Sequence, residues 1–126
     1  MKVLLVEDDR ALAQMCAKLI RRRGHFAVVA LSSDEAVRIV SDSNDIDVVV
    51  SDVQMPVMNG IQLLARLRTM NGRLPVVLMT GYGHLVSSAQ ILALGAAGYI
   101  IKPFEPDVFI GCVERATRSQ HNAAAS

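Results

Sequence analysis

Two patterns change places along this chain. Short continuous apolar runs give way to stretches in which apolar residues recur every three or four positions, and the exchange happens five times. Lys2–Val6 is the first short run and predicts a strand that ends in three acids, Glu7, Asp8 and Asp9. Ala11, Leu12, Met15, Cys16, Leu19 and Ile20 then form a helical stripe that stops at Gly24. Ala27–Leu31 predicts a second strand. Ser32, with Glu35 three residues on, has the form of a capping box opening a helix through Ala36, Val37, Ile39 and Val40. Ile46–Asp52 holds three consecutive valines, Val48 to Val50, and reads as a strand buried on both faces. Pro56 and the Asn59-Gly60 pair mark the loop beyond it.

Ile61, Leu64, Leu67 and Met70 predict the third helix, closed by Asn71-Gly72, and Pro75–Met79 a fourth strand ending at Thr80. A Gly81-Tyr82-Gly83 loop leads to a helix marked by Leu85, Ala89, Leu92 and Ala93, ending at Gly95. Gly98–Ile101 is the fifth strand, followed by Lys102-Pro103. Pro106 suits the first turn of a last helix through Val108, Phe109, Cys112, Val113 and Ala116. Strict alternation of strand and helix implies a parallel sheet with helices on both faces. We assign 1–118 to one domain and 119–126 to a frayed tail or the start of a linker.

Composition narrows the classes. The 126 residues suit a single core, and 52% are apolar, yet charges interrupt the chain before any run reaches the ~18 residues of a membrane span. The apolar start is too short for a signal peptide, so a cytoplasmic protein is expected. With a net charge of +1 and basic residues scattered apart from Arg21-Arg22-Arg23, the cluster reads as a solvated helix end, not a nucleic-acid surface. Cys16 and Cys112 lack metal-ligand spacing and read as two packed thiols.

Chemistry enters at the strand ends. The carboxyl ends of strands in such a sheet share one edge, where ligands bind. Glu7, Asp8, Asp9, Asp52, Thr80 and Lys102 therefore converge. Several carboxylates at one edge repel one another unless a cation neutralises them, and oxygen-only ligands with room for water suit Mg²⁺. A hydroxyl and an ammonium beside them suit an anion bridging to the metal. A phosphoryl group fits all these parts.

At this point the sequence resembles a known family, the receiver domains of two-component response regulators, from about Lys2 to Arg118. The motifs are Val6-Glu7-Asp8-Asp9, Ser51-Asp52-Val53-Gln54-Met55-Pro56, Asn59-Gly60, Met79-Thr80-Gly81, and Gly98-Tyr99-Ile100-Ile101-Lys102-Pro103-Phe104. The resemblance implies a flavodoxin-like, doubly wound five-stranded parallel sheet of order 2-1-3-4-5 with five helices. It makes Asp52 the phospho-acceptor, with Lys102 and Thr80 contacting the phosphoryl group. Glu7, Asp8, Asp52 and the backbone carbonyl of Gln54 would hold Mg²⁺, and Asp9 falls where it caps the first helix. Lys102-Pro103 is implied to be a cis peptide, and Thr80 and Tyr99 a switch pair. Gln54 and Tyr82, each two residues past a site residue, read either as side chains flanking the path of water and tuning the lifetime of the acyl phosphate or as plain surface side chains. His84 receives no role.

The implied function is to take a phosphoryl group from a histidine kinase or phosphotransfer protein and to switch the helix 4, strand 5 and helix 5 face. A phosphorylation-dependent homodimer through that face is a further expectation, with no direct nucleic-acid or membrane binding by this domain. The protein would be no enzyme beyond its own phosphotransfer and self-dephosphorylation. The alternative is a degenerate receiver that docks partners without phosphorylation, a reading weakened by the presence of Asp52, the acidic pair and Lys102. A haloacid-dehalogenase-type phosphatase would carry a second aspartate where Gln54 stands. A nucleotide site lacks its glycine-rich sequence after the first strand. The Thr80–Gly83 stretch resembles receivers of enhancer-binding transcription activators.

Overall fold

Val48, Val49 and Val50 have no exposed surface, which requires cover on both faces of their strand. The computed structural model, which describes residues 1–81 and 87–125, supplies it. Strands β1 (Lys2–Val6), β2 (Phe26–Ala30), β3 (Val48–Asp52), β4 (Val76–Gly81) and β5 (Gly98–Lys102) form one parallel sheet in the order β2-β1-β3-β4-β5. Helices α1 (Arg10–Arg22), α2 (Ser33–Asp42), α3 (Gly60–Met70), α4 (Ser88–Ala93) and α5 (Pro106–Ala125) connect and flank them. This is the doubly wound arrangement expected. The helical backbone of α5 continues through most of the 119–126 stretch assigned to a tail.

Side chains alternate across a strand, so the sheet divides its apolar residues between two cores. Val3, Leu5, Val48, Val50, Val77 and Met79 meet α1 and α5, through residues such as Cys16, Ile20, Phe109 and Val113. Leu4, Val6, Val49, Val76 and Leu78 meet α2, α3 and α4, through Ala36, Leu63, Leu67 and Ile91. Each large side chain so buried contributes about 1.5–3 kcal/mol relative to exposure. Phe104 stacks on Phe109 with ring centroids 5.1 Å apart, joining the β5–α5 loop to the first of these cores. Cys16 is buried and Cys112 half-buried, both free, and burial pushes the Cys16 thiol up to about 12.

Two local expectations need correction. The apolar stripe assigned to α4 faces the wrong way: Ala89, Leu92 and Ala93 are exposed, and Ile91 is the residue packed into the core. Consecutive helical residues differ by about 100° in direction, so a shift of one position turns Leu92 outward. Leu85, Tyr82 and His84 lie outside the described residues. The second correction concerns the cap of α2. Ser32 Oγ accepts from Glu35 N at 3.1 Å, but Glu35 Oε2 accepts from Leu31 N, also at 3.1 Å, so the reciprocal bond of a capping box lands one residue early. Full capping boxes occur instead at Asn59–Gln62 and Ser87–Gln90, two pairs with the same spacing.

Candidate functional site

Each functional side chain is delivered by the end of a strand. In-register pairing of β1 with β3 aligns Val6 with Ser51, so Glu7 and Asp8 emerge beside Asp52. Pairing of β4 with β5 aligns Thr80 with Ile101 and Gly81 with Lys102. Glu7 is held by its backbone, whose N–H donates to the Ala30 carbonyl at 3.0 Å. Asp9 caps α1, its carboxylate accepting from Ala11 N at 3.0 Å and Leu12 N at 3.2 Å. That capping leaves the acidic pair of Glu7 and Asp8 facing Asp52.

The centre is a three-residue ion network. Lys102 Nζ donates to Asp52 Oδ2 at 2.7 Å and to Glu7 Oε1 at 2.9 Å. Asp52 Oδ1 accepts from the Gln54 backbone N–H at 3.1 Å, which fixes the rotation of the carboxylate. Glu7 and Asp52 are buried, whereas Asp8 is exposed. One carboxylate oxygen from each of Glu7, Asp8 and Asp52 lies within 4.8 Å of the others. Thr80 is buried at the end of β4, and Tyr99 is half-buried against the core on the α2–α4 side. The Lys102–Pro103 peptide is cis.

Electrostatics here are out of balance in a telling way. Burial pushes Glu7 up to about 7, a hydrogen-bonded Asp52 adds to the rise, and Lys102 opposes it. Burial works against the charge on Lys102, but Asp52 and Glu7 outweigh it and hold the ammonium above its ordinary range. Fully ionised, three carboxylates and one ammonium carry a formal charge of about −2, the charge a divalent cation cancels. Glu7 Oε2, moreover, is buried with no hydrogen-bond partner among the described residues. An orphaned carboxylate oxygen beside two other carboxylates fits a hard cation with oxygen ligands.

The model of the response regulator receiver domain matches residues 3–114 of this sequence. The chain belongs to that family. It is 43% identical over 119 residues to the response regulator protein FleR of Pseudomonas aeruginosa, covering 94% of this chain and 25% of that protein. It is 34% identical over 120 residues to the transcriptional regulatory protein CpxR of Escherichia coli, covering 95% and 50% respectively. The receiver thus spans between a quarter and a half of these two relatives. A response regulator receiver domain protein from Clostridium thermocellum superimposes with a TM-score of 0.89 at 28% identity, covering 97% of this chain and 98% of that one.

Two features of this receiver's site escaped the sequence reading. The Asn59-Gly60 pair is the start of α3 rather than loop: Asn59 is the cap and Gly60 the first helical residue, packed on the Asp52 backbone. Asn-x-x-Gln spacing carried that signal. The second is Val57, whose φ of 69° lies in the left-handed region, and no sequence pattern announces it. Among the described residues no helix is long and apolar enough to cross a membrane.

Proposed function

We propose that this receiver accepts a phosphoryl group on Asp52 from a phosphohistidine donor and switches its α4–β5–α5 face in response. The observation that carries the reading is the Lys102 ammonium 2.7 Å from Asp52 Oδ2, beside two further carboxylates within 4.8 Å. A carboxylate alone is a poor nucleophile toward an anion. Here the Gln54 N–H orients it, and Lys102 neutralises charge that develops on the transferring group. An Asp52 oxygen forms the new P–O bond, the P–N bond to the donor imidazole breaks, and its electron pair returns to the ring nitrogen.

Glu7, Asp8, Asp52 and the Gln54 carbonyl are the ligands we assign to Mg²⁺, a set supported by the buried Glu7 Oε2, which has no hydrogen-bond partner among the described residues. When bound, the ion would neutralise phosphoryl oxygens and orient the incoming group. Asp52 supplies the nucleophile, and Thr80, buried at the next strand end, supplies a hydroxyl donor to a phosphoryl oxygen. Movement of Thr80 toward the new dianion vacates space for Tyr99, which is half-buried one strand away. The ligand thereby selects between two states of the same fold.

Exposed Leu92, Leu94, Ile101 and Val108, carried by α4, the turn after it, β5 and α5, give this face an apolar character suited to a phosphorylation-dependent homodimer. Gln54 is exposed beside Asp52, and we expect its amide to influence attacking water. The same role assigned to Tyr82 falls outside the described residues. Self-phosphorylation and self-dephosphorylation would be its only catalysis, and we expect it to work in the cytoplasm.

Incubation with acetyl phosphate and Mg²⁺, read by intact mass, tests the reading. One added phosphoryl group, absent in Asp52→Asn and after chelation, is the expected result. An unmodified parent under conditions where Mg²⁺ binding is verified would leave a phosphorylation-independent docking module as the better account.

A further inference from the structure

Ser33 carries a buried hydroxyl that its own helix does not use. Ser32 caps α2 by accepting from Glu35 N, and the side chain of Ser33, the next residue, is left only 3% exposed. It reaches across to the β3–α3 loop, where Ser33 Oγ donates to the Met58 carbonyl at 2.7 Å. A carbonyl can only accept, so chemistry fixes the direction of this bond. No other hydrogen bond reaches that carbonyl among the described residues. Met55 of the same loop packs into the core on the α2–α4 side, but apolar contact is non-directional and does not set the rotation of a peptide.

The loop it ties down resists its own shape. Val57 has a φ of 69°, in the left-handed region, where a β-branched side chain crowds the backbone. That side chain is 97% exposed, so packing does not hold it there. The strain of one such residue and the strength of one buried hydrogen bond are of the same order, so the tether decides whether the turn persists. Both ends of the loop are pinned: Gly60 N donates to the Val53 carbonyl at 2.9 Å, and Val53 N to the Met79 carbonyl at 2.9 Å. In a short ring with fixed ends, a dihedral that relaxes at Val57 must be compensated at its neighbours. Gln54 lies in that ring. Its N–H donates to Asp52 Oδ1 at 3.1 Å, and its carbonyl is the oxygen we assign to Mg²⁺.

We infer that Ser33 is a positioning residue: acting through the Met58 carbonyl, its hydroxyl holds the strained loop in the shape that aims the Gln54 peptide at Asp52 and at the cation. This rests on the phospho-acceptor reading above. Mg²⁺ affinity, measured by calorimetry on the unphosphorylated protein, is the first readout, with urea denaturation to confirm that each variant is folded. Ser33→Ala should weaken Mg²⁺ binding about 3–10-fold, the scale of one neutral hydrogen bond. The Mg²⁺ concentration for half-maximal loading from acetyl phosphate should rise with it, with a smaller change in the rate at saturation. Adding Val57→Asn to Ser33→Ala should restore the affinity of the parent, since asparagine tolerates the left-handed backbone without a tether. Unchanged Mg²⁺ affinity in Ser33→Ala overturns the inference. So does an equal loss in the double variant, which would mean that the hydroxyl does not act by holding the strained turn. A parent that neither binds Mg²⁺ nor loads removes the reading beneath, and this inference with it.

Discussion

Gly60 leaves no room for a side chain above Asp52: a Cβ placed on it would lie 2.3 Å from the Asp52 carbonyl oxygen and 2.8 Å from Val53 Cα. The obstacles are backbone atoms, which cannot rotate away. The first turn of α3 thus packs directly on the Asp52 peptide, and its glycine is required by contact.

Substitution of Gly60 by alanine should therefore do the opposite of what helix propensity predicts. Alanine in a helix is ordinarily better than glycine by up to ~1 kcal/mol. Here we expect a loss of about 1–3 kcal/mol in urea denaturation, from the overpacking. Asp52 loading by acetyl phosphate should slow with it, because the carboxylate is displaced along with its backbone. A stabilised Gly60→Ala protein would contradict the packing.

Lys102 holds Asp52 and Glu7 together, so its removal should be felt as repulsion between them. Lys102→Met is expected to destabilise the protein by roughly 1–3 kcal/mol, less than a fully buried pair because Lys102 retains some solvent contact. The second change Glu7→Gln should restore part of that loss, and a double-mutant cycle reads the coupling directly. Additive effects would mean the three groups do not share one network.

Occupation of the acidic site should stabilise the fold by mass action. At Mg²⁺ concentrations about 100-fold above the dissociation constant, the gain approaches ~2.7 kcal/mol. Chelation should remove it, and Asp8→Asn should reduce the apparent affinity while leaving the metal-free stability within ~0.5 kcal/mol, since Asp8 is exposed. Thermal denaturation with and without Mg²⁺ checks both points.

At the far end of α1, Glu114 of α5 accepts from His25 Nε2 and Arg23, each at 2.9 Å. The His25 hydrogen bond first, and then the Arg23 charge, hold the Glu114 carboxyl below its ordinary range despite an opposing burial effect. A carboxyl whose folded-state value is depressed adds stability above its unfolded value, and that stability is lost as pH falls through the folded one. Glu114→Gln should cost under ~1 kcal/mol at pH 7, and the difference from the parent should vanish in acid. Urea midpoints followed downward from pH 7 give the test.

Most of the fold was legible because its signals are local and redundant. Three valines in sequence require a strand covered on both faces, and β3 is such a strand. The strand-end residues were legible for the same reason: a parallel sheet fixes which ends share an edge, so Glu7, Asp52 and Lys102 meet across long sequence separations. What escaped was set by tertiary contact. Ile91 rather than Leu92 is buried because a helix of six residues offers the sheet fewer than two turns, too little for periodicity to choose a face. Glu35 bonds Leu31 N rather than Ser32 N because its carboxylate reaches past the cap residue. The conformation of Val57 follows from Ser33 and Gly60 holding its neighbours, a constraint with no local sequence signature.

Location of the phosphoryl group tests the central claim most directly. Protein loaded from acetyl phosphate and Mg²⁺ would be reduced with borohydride, which converts an aspartyl phosphate to homoserine, then digested and sequenced by mass spectrometry. The account predicts homoserine at position 52 alone, and none when Mg²⁺ is chelated. Modification at another carboxylate, or a labelled protein with Asp52 intact, would contradict it.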